Sequence, residues 1–209
     1  ASPAAPFPMG NPNTARLAWP LSKGRKVHLI QGYEVWFGPH TVDAVHAALR
    51  LPNIKIAISH DLCNTLQAAL GPLPITVIPN AIDPLQFDAA VRCKSDSLRV
   101  GFVYSSAHMK GADICIEAIR LARLHRPELQ VLSFGAEPAV SNLPLPAGTH
   151  YQVSPPQAHL RECYAACDVW LFGSRLDSFG LPVLEAMACR TPVVSVPVGA
   201  APWLLEKGG

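Results

Sequence analysis

The stretch Asp168–Val196 reads DVWLFGSRLDSFGLPVLEAMACRTPVVSV, and three elements are written in it. Asp168–Gly173 and Pro192–Val196 are short apolar runs bounded by turn residues, the pattern of buried strands. Between them a polar turn leads through Phe179-Gly180-Leu181 to Pro182, whose fixed φ suits a first helical position, and the spacing predicts a helix over Pro182–Ala188. Strand, glycine-bearing loop, helix and strand make a βαβ unit, which belongs in a parallel sheet. Working outward, the alternation repeats. Strands are predicted at Lys26–Gln31, Ile54–Ser59, Ile75–Ile78, Leu98–Tyr104, Gln130–Phe134 and His150–Val153. Helices are predicted at Thr41–Arg50, His60–Leu70, Ala112–Leu124, Pro156–Ala166 and Ala200–Lys207. The fold class is therefore α/β with parallel sheets.

The alternation stops once, from Pro79 to Ser97, where Pro79-Asn80 is turn chemistry, Pro84 reads as a helix breaker and Arg92–Asp96 is polar and charged. This gap separates a first domain, residues 1–78, from a second, residues 79–209. Five strands follow it, enough for most of a doubly wound domain, and only three precede it, so the first domain reads as partial. Five of the 21 prolines fall in the first twenty residues, and Ala1–Pro20 reads as a loop. The chain begins with Ala and ends in Gly208-Gly209 straight after a helical pattern, which suggests a piece of something longer.

With 209 residues, 49% hydrophobic and 15% charged, and a mean hydropathy of +0.20, the chain is too apolar for disorder. A formal charge of +2 and 7% aromatic residues, with no basic run, argue against a nucleic-acid surface and favour a neutral or small anionic ligand. The six cysteines are scattered without C-x-x-C spacing, so reduced thiols in a cytoplasmic protein are expected. Cys163 and Cys167, at helical i,i+4 spacing, read as two core thiols in preference to half a zinc site. No run of about 18 apolar residues and no signal-peptide pattern occurs, while weak docking on a membrane surface stays open.

A helix start offers unpaired N–H donors and about half a unit of positive charge, so a diphosphate fits the N–H groups of Phe179 to Leu181. Asp177 and Glu185, on the loop and the helix, can both face the crevice at the carboxyl ends of the strands, as acceptors for sugar hydroxyls. The alternative is that Glu185 only favours its helix dipole while Asp177 is a solvated loop charge. Lys110, in HMKG at another helix start, is a point charge suited to phosphate. No D-x-D is present to hold a metal on a diphosphate, and no G-x-G-x-x-G follows a strand, which argues against a dehydrogenase.

These residues resemble the GT-B retaining glycosyltransferases of family 4, also called group 1. DSFGLPVLEAMACRTPVV looks like that family's E-x7-E block, with Asp177 in place of the first Glu and Glu185 as the second. KGAD at Lys110–Asp113 looks like its K-G motif, VIPNAID at Val77–Asp83 with Phe87 like its interdomain segment, and AISHDL at Ala57–Leu62 like the end of its first domain. The resemblance implies a GT-B fold of two Rossmann-like domains, the first only partly present. It implies a transferase moving a sugar from a nucleoside-diphosphate donor to a glycan or lipid-linked acceptor, as in polysaccharide biosynthesis. Retention, and no metal or other cofactor, are implied as well. It also implies a cytoplasmic enzyme, peripheral at the inner face of the membrane where the acceptor is a lipid. By the same resemblance Glu185 binds the ribose, Asp177 the donor sugar, the Ser178–Leu181 backbone (Ser178, Phe179, Gly180, Leu181) the sugar and diphosphate, and Lys110 the diphosphate. Gly135 and Val153 fall where the base lies. Three departures stand out: the usual arginine before the lysine is Ser105, the linker's Asn-Gly is Asn80-Ala81, and the usual first-domain His is Gln31. Two further readings share the pattern: a nucleotide-sugar-binding fragment without turnover, and a GT-B sugar-nucleotide epimerase.

Overall fold

The computed structural model describes residues 7–9, 12–21, 24–36, 41–91 and 97–208. It divides after Asn80 into two compact units. The first is a four-stranded parallel sheet, β1 (Phe7–Met9), β2 (Lys26–Ile30), β3 (Ile54–Ala57) and β4 (Ile75–Val77), in sequence order across the sheet. Helices α1 (Pro12–Ala18), α2 (Val42–Leu49) and α3 (His60–Leu70) connect the strands. Thr41 Oγ1 caps α2 by accepting from Ala44 N, and Ser59 Oγ caps α3 by accepting from Leu62 N, each satisfying one of the donors a helix start leaves open. Buried in this sheet, His28 on β2 lies beside Lys55 on β3 in register. Lys55 Nζ donates to the Leu51 carbonyl at 2.7 Å, whereas His28 Nδ1 has no partner.

Two expectations about proline fail here. The N-terminal stretch holds a strand and a helix, not a loop: Pro8 sits in an edge strand, where the missing N–H is least costly, and Pro12 opens α1 as its first residue. Ala15 and Ala18 of that helix are buried against Ala48. In the inter-domain gap, Pro84 likewise starts a helix where it was expected to prevent one, α4 (Pro84–Phe87), with Asp83 Oδ1 accepting from Leu85 N at 2.9 Å. Phe87 then enters the core of the second unit.

That second unit is a five-stranded parallel sheet in the order β7-β6-β5-β8-β9, made of β5 (Arg99–Tyr104), β6 (Gln130–Gly135), β7 (His150–Val153), β8 (Val169–Phe172) and β9 (Val193–Ser195). Its helices are α5 (Ala112–Arg123), α6 (Leu160–Ala165), α7 (Leu181–Ala188) and α8 (Ala201–Gly208). The predicted helix over Pro156–Ala166 is shorter, a 3-10 turn at Gln157–His159 running into α6. The order runs outward both ways from β5, so β5 and β8 flank the switch point where a doubly wound sheet opens a crevice. Trp170, Tyr104, Tyr164 and Phe102 fill the core and are at most 1% exposed. Two close approaches fix the layers. A Cβ on Gly101 would meet the Trp170 ring and lie 2.6 Å from Cys167 Sγ. Gly111 (φ +63°) and Gly173 pack backbone to backbone, a Cβ on Gly173 falling 2.6 Å from the Gly111 carbonyl. The five cysteines among the described residues are buried thiols in no disulfide; Cys167 Sγ donates to the Cys163 carbonyl at 3.4 Å. Cys93 lies outside the described residues.

Candidate functional site: a cleft at the carboxyl edge of the second sheet

Where β5, β6 and β8 end, a cleft of about 240 Å³ opens, lined by residues that include Ser105, Lys110, Glu137, Gly173, Ser174 and Asp177. Lys110 is delivered to it by a 3-10 turn, His108–Lys110, that closes on the left-handed Gly111. The loop after β8 is lashed to that turn. Arg175 N and Ser174 Oγ donate to the Met109 carbonyl at 2.8 and 3.1 Å, and the Arg175 guanidinium grips Asp113 with two bonds of 2.7 and 2.6 Å. That bidentate pair holds the Asp113 carboxyl below the usual carboxylate range.

The lashing sets Asp177 against Lys110. Asp177 Oδ2 accepts from Lys110 Nζ at 3.1 Å, and its other oxygen accepts from Phe179 N at 3.1 Å and Gly180 N at 2.9 Å. Asp177 is only 17% exposed against 47% for Lys110, so it is not a solvated loop charge. Gly180, at φ +87°, turns the chain into α7. The N–H groups of Phe179 and Gly180, expected to meet a diphosphate, are therefore filled by the protein's own carboxylate. The short Asp side chain reaches forward to the backbone two and three residues on, as Asx turns do.

Glu185 is placed differently from the expectation. α7 starts at Leu181, one residue earlier than predicted, so Glu185 lies beyond the first helical turn, which carries no acidic residue. It is not among the residues lining the cleft of Lys110 and Asp177. Instead its Oε2 accepts from the Tyr164 hydroxyl at 2.6 Å. Burial pushes the Glu185 carboxyl up, and the phenol's hydrogen bond pulls it part of the way back. Burial, with Glu185 next to it, drives the Tyr164 hydroxyl well above its ordinary range, so it stays protonated as the donor.

The remaining predicted residues are spread along the same edge. Ser105, at the end of β5, accepts from Ala107 N at 3.3 Å. Ser178 and Phe179 are buried, at 7% and 2% exposure, and Leu181 is exposed. Gly135 ends β6 beside Val153 at the end of β7, which is exposed. A Cβ on Gly135 would meet the Tyr104 carbonyl and lie 2.7 Å from the Tyr151 hydroxyl, so close packing alone demands this glycine. Two residues not singled out in the sequence join the site. Glu137 Oε1 accepts from Ser106 N at 2.7 Å and Ser106 Oγ at 2.8 Å, which hold its carboxyl below the usual range. Tyr164 carries Glu185. An acidic residue two positions after the glycine-ended strand could have flagged Glu137, whereas nothing local to LRECYAAC distinguishes a core tyrosine from one that grips a carboxylate. Among the described residues no group of three or more His, Cys, Asp or Glu is arranged to hold a metal, and no helix is long and apolar enough to cross a membrane.

The architecture is the GT-B fold. Sucrose-phosphate synthase from Thermosynechococcus elongatus superposes with a TM-score of 0.77 at 19% identity, over 95% of this chain and 57% of its own. A glycosyltransferase from Rickettsia africae does so with 0.70 at 16% identity, over 92% and 57%. Within that fold, residues 97–209 match the family of glycosyl transferases group 1, and the chain belongs to it. Among curated proteins it is 27% identical over 197 residues to a phosphatidylinositol N-acetylglucosaminyltransferase subunit of Arabidopsis thaliana, covering 83% of this chain. It is 32% identical over 157 residues to D-inositol 3-phosphate glycosyltransferase of Segniliparus rotundus, covering 64% of this chain. The chain spans 44% and 34% of the lengths of those two relatives.

Proposed function

We propose that this chain is the donor-binding part of a glycosyltransferase that moves a sugar from a nucleoside diphosphate to a hydroxyl of a glycan or lipid-linked acceptor, without a metal and with retention. The observation that carries the reading is the cluster at the carboxyl edge of the second sheet, where Lys110, Asp177 and the loop entering α7 converge on one cleft in a member of group 1. Lys110 supplies a cation against the departing diphosphate. Asp177, released from Lys110, turns its carboxylate to a hydroxyl of the donor sugar and frees the Phe179 and Gly180 N–H groups for phosphate oxygens. Glu185 accepts from the ribose hydroxyls, and the ends of β6 and β7, at Gly135 and Val153, flank the base. Two relatives whose names specify inositol compounds support an acceptor of that kind, a lipid headgroup or its soluble phosphate, and peripheral contact with a membrane would follow from a lipid one.

Calorimetric titration with UDP, GDP and dTDP tests the reading: at least one saturable signal is expected, and silence for all three and their sugars would sink it. In the full-length enzyme Lys110→Met should lower turnover about a hundredfold, the usual consequence of removing one preorganised donor from a developing anion. Chelator should leave the rate unchanged.

A further inference from the structure

Glu185 and Tyr164 come from different helices, 21 residues apart, yet share a bond of 2.6 Å, and the two ends of that bond differ in freedom. The Tyr164 ring is locked. It is 1% exposed and packs on Trp170, Phe134 and Phe87, with ring centroids 4.4, 5.6 and 6.3 Å away, each from a separate element. Its backbone carbonyl is held as well, accepting from Thr191 Oγ1 at 2.8 Å. A hydroxyl on such a ring cannot follow a moving partner. Glu185, by contrast, has three rotatable side-chain bonds and is only half-buried. Its second oxygen, Oε1, takes no hydrogen bond among the described residues and is not one of the sealed, unpaired atoms of the core. One oxygen is therefore pinned from beneath, while the other is unpaired and within reach of solvent.

We propose that Tyr164 is the positioning residue for Glu185: by holding Oε2 from within the core it fixes the carboxylate in the orientation that presents Oε1 to the ribose hydroxyls of the donor nucleotide. This rests on the reading of Glu185 as the ribose acceptor. A carboxylate on a free rotor must be ordered when the nucleotide arrives, and one already tied at a single oxygen has less to lose. The phenol suits the task because a neutral donor satisfies the buried oxygen without cancelling the negative charge, as a lysine or arginine would. Tyr164 itself touches no substrate.

The test compares ribonucleotide with 2′,3′-dideoxynucleotide, using whichever nucleoside diphosphate the wild-type chain binds. Wild type should favour the ribonucleotide. Tyr164→Phe keeps the ring packing and removes only the hydroxyl; it should bind the ribonucleotide about five- to tenfold more weakly and the dideoxynucleotide unchanged. Combining it with Glu185→Gln should add little further loss. A merely structural role would weaken both nucleotides alike, and that result overturns the proposal, as does a Tyr164→Phe variant that discriminates as well as wild type. If wild type binds both nucleotides equally, the ribose reading of Glu185 falls and takes this one with it. Should Tyr164→Phe not fold, a fluorinated tyrosine at position 164 keeps ring and hydroxyl and strengthens donation. A shift confined to the ribonucleotide then supports the proposal, and no shift overturns it.

Discussion

Asp177 holds a cation with one oxygen and two backbone N–H groups with the other, so an incoming phosphate meets donors that already have an anion. Binding at this cleft is an exchange. Asp177→Asn keeps an oxygen for the two N–H groups but gives up Lys110, and should tighten a free nucleoside diphosphate about two- to fivefold, the range of a half-exposed ion pair. The same change should depress sugar transfer. Titration of UDP, GDP or dTDP into both proteins, beside a rate measurement, checks the pair of outcomes; weaker nucleotide binding by the variant would show that Lys110 is not held back by Asp177. Single residues were legible in the sequence as chemical types: Lys110, Asp177 and Glu185 all stand out on their motifs. Their partners were not. Lys110 and Asp177 are 67 residues apart, and the pairing of β5 with β8, with the ties of the β8 loop to the Met109 turn, brings them together. Glu185 was expected in the Asp177 cleft because a spacing of eight cannot say toward which neighbour a side chain turns once a buried phenol competes for it.

Elements were legible where periodicity speaks for itself. The strands and crossover helices from Leu98 to Val196 were readable because a parallel sheet buried on both faces is written in short apolar runs. Proline misled the reading at Pro8, Pro12 and Pro84, since the same residue that breaks a helix interior also opens a helix, and an edge strand tolerates it. Glycines, in contrast, mark contacts between elements that no periodicity reveals. Gly173 leaves β8 against the start of α5, with the Gly111 carbonyl 2.6 Å and Cys115 Sγ 2.9 Å from where a Cβ would stand. Gly173→Ala should therefore force the β8 loop away from α5 and destabilise the second unit by about 1–3 kcal/mol. It should also move Lys110 relative to Asp177, lowering nucleotide affinity along with the melting temperature. An alanine variant that melts and binds like wild type would show that this approach relaxes without consequence.

For the whole molecule, acid is the informative stress. His28 is buried in the first sheet, where desolvation, with Lys55 adding its charge, lowers its pKa from 6.5 to about 4. Between those values the unfolded chain binds a proton that the folded one refuses, so stability falls as the pH drops through this window and levels off below it. The loss should be on the order of 3 kcal/mol. Urea unfolding at pH 7, 5.5 and 4 should show the decline in wild type and a flatter course in His28→Gln, and parallel declines in the two would assign the acid sensitivity to other groups. The two units need not yield together, and the molecule carries its own means of telling them apart. Cys63 lies in the first unit, Cys115, Cys163, Cys167 and Cys189 in the second, and all five are shielded from solvent. A thiol reagent can reach them only through an opening, so each cysteine is a clock set to the rate at which its surroundings part. Labelling read residue by residue, with Cys63 timed against the other four, would show which half of the chain comes undone first.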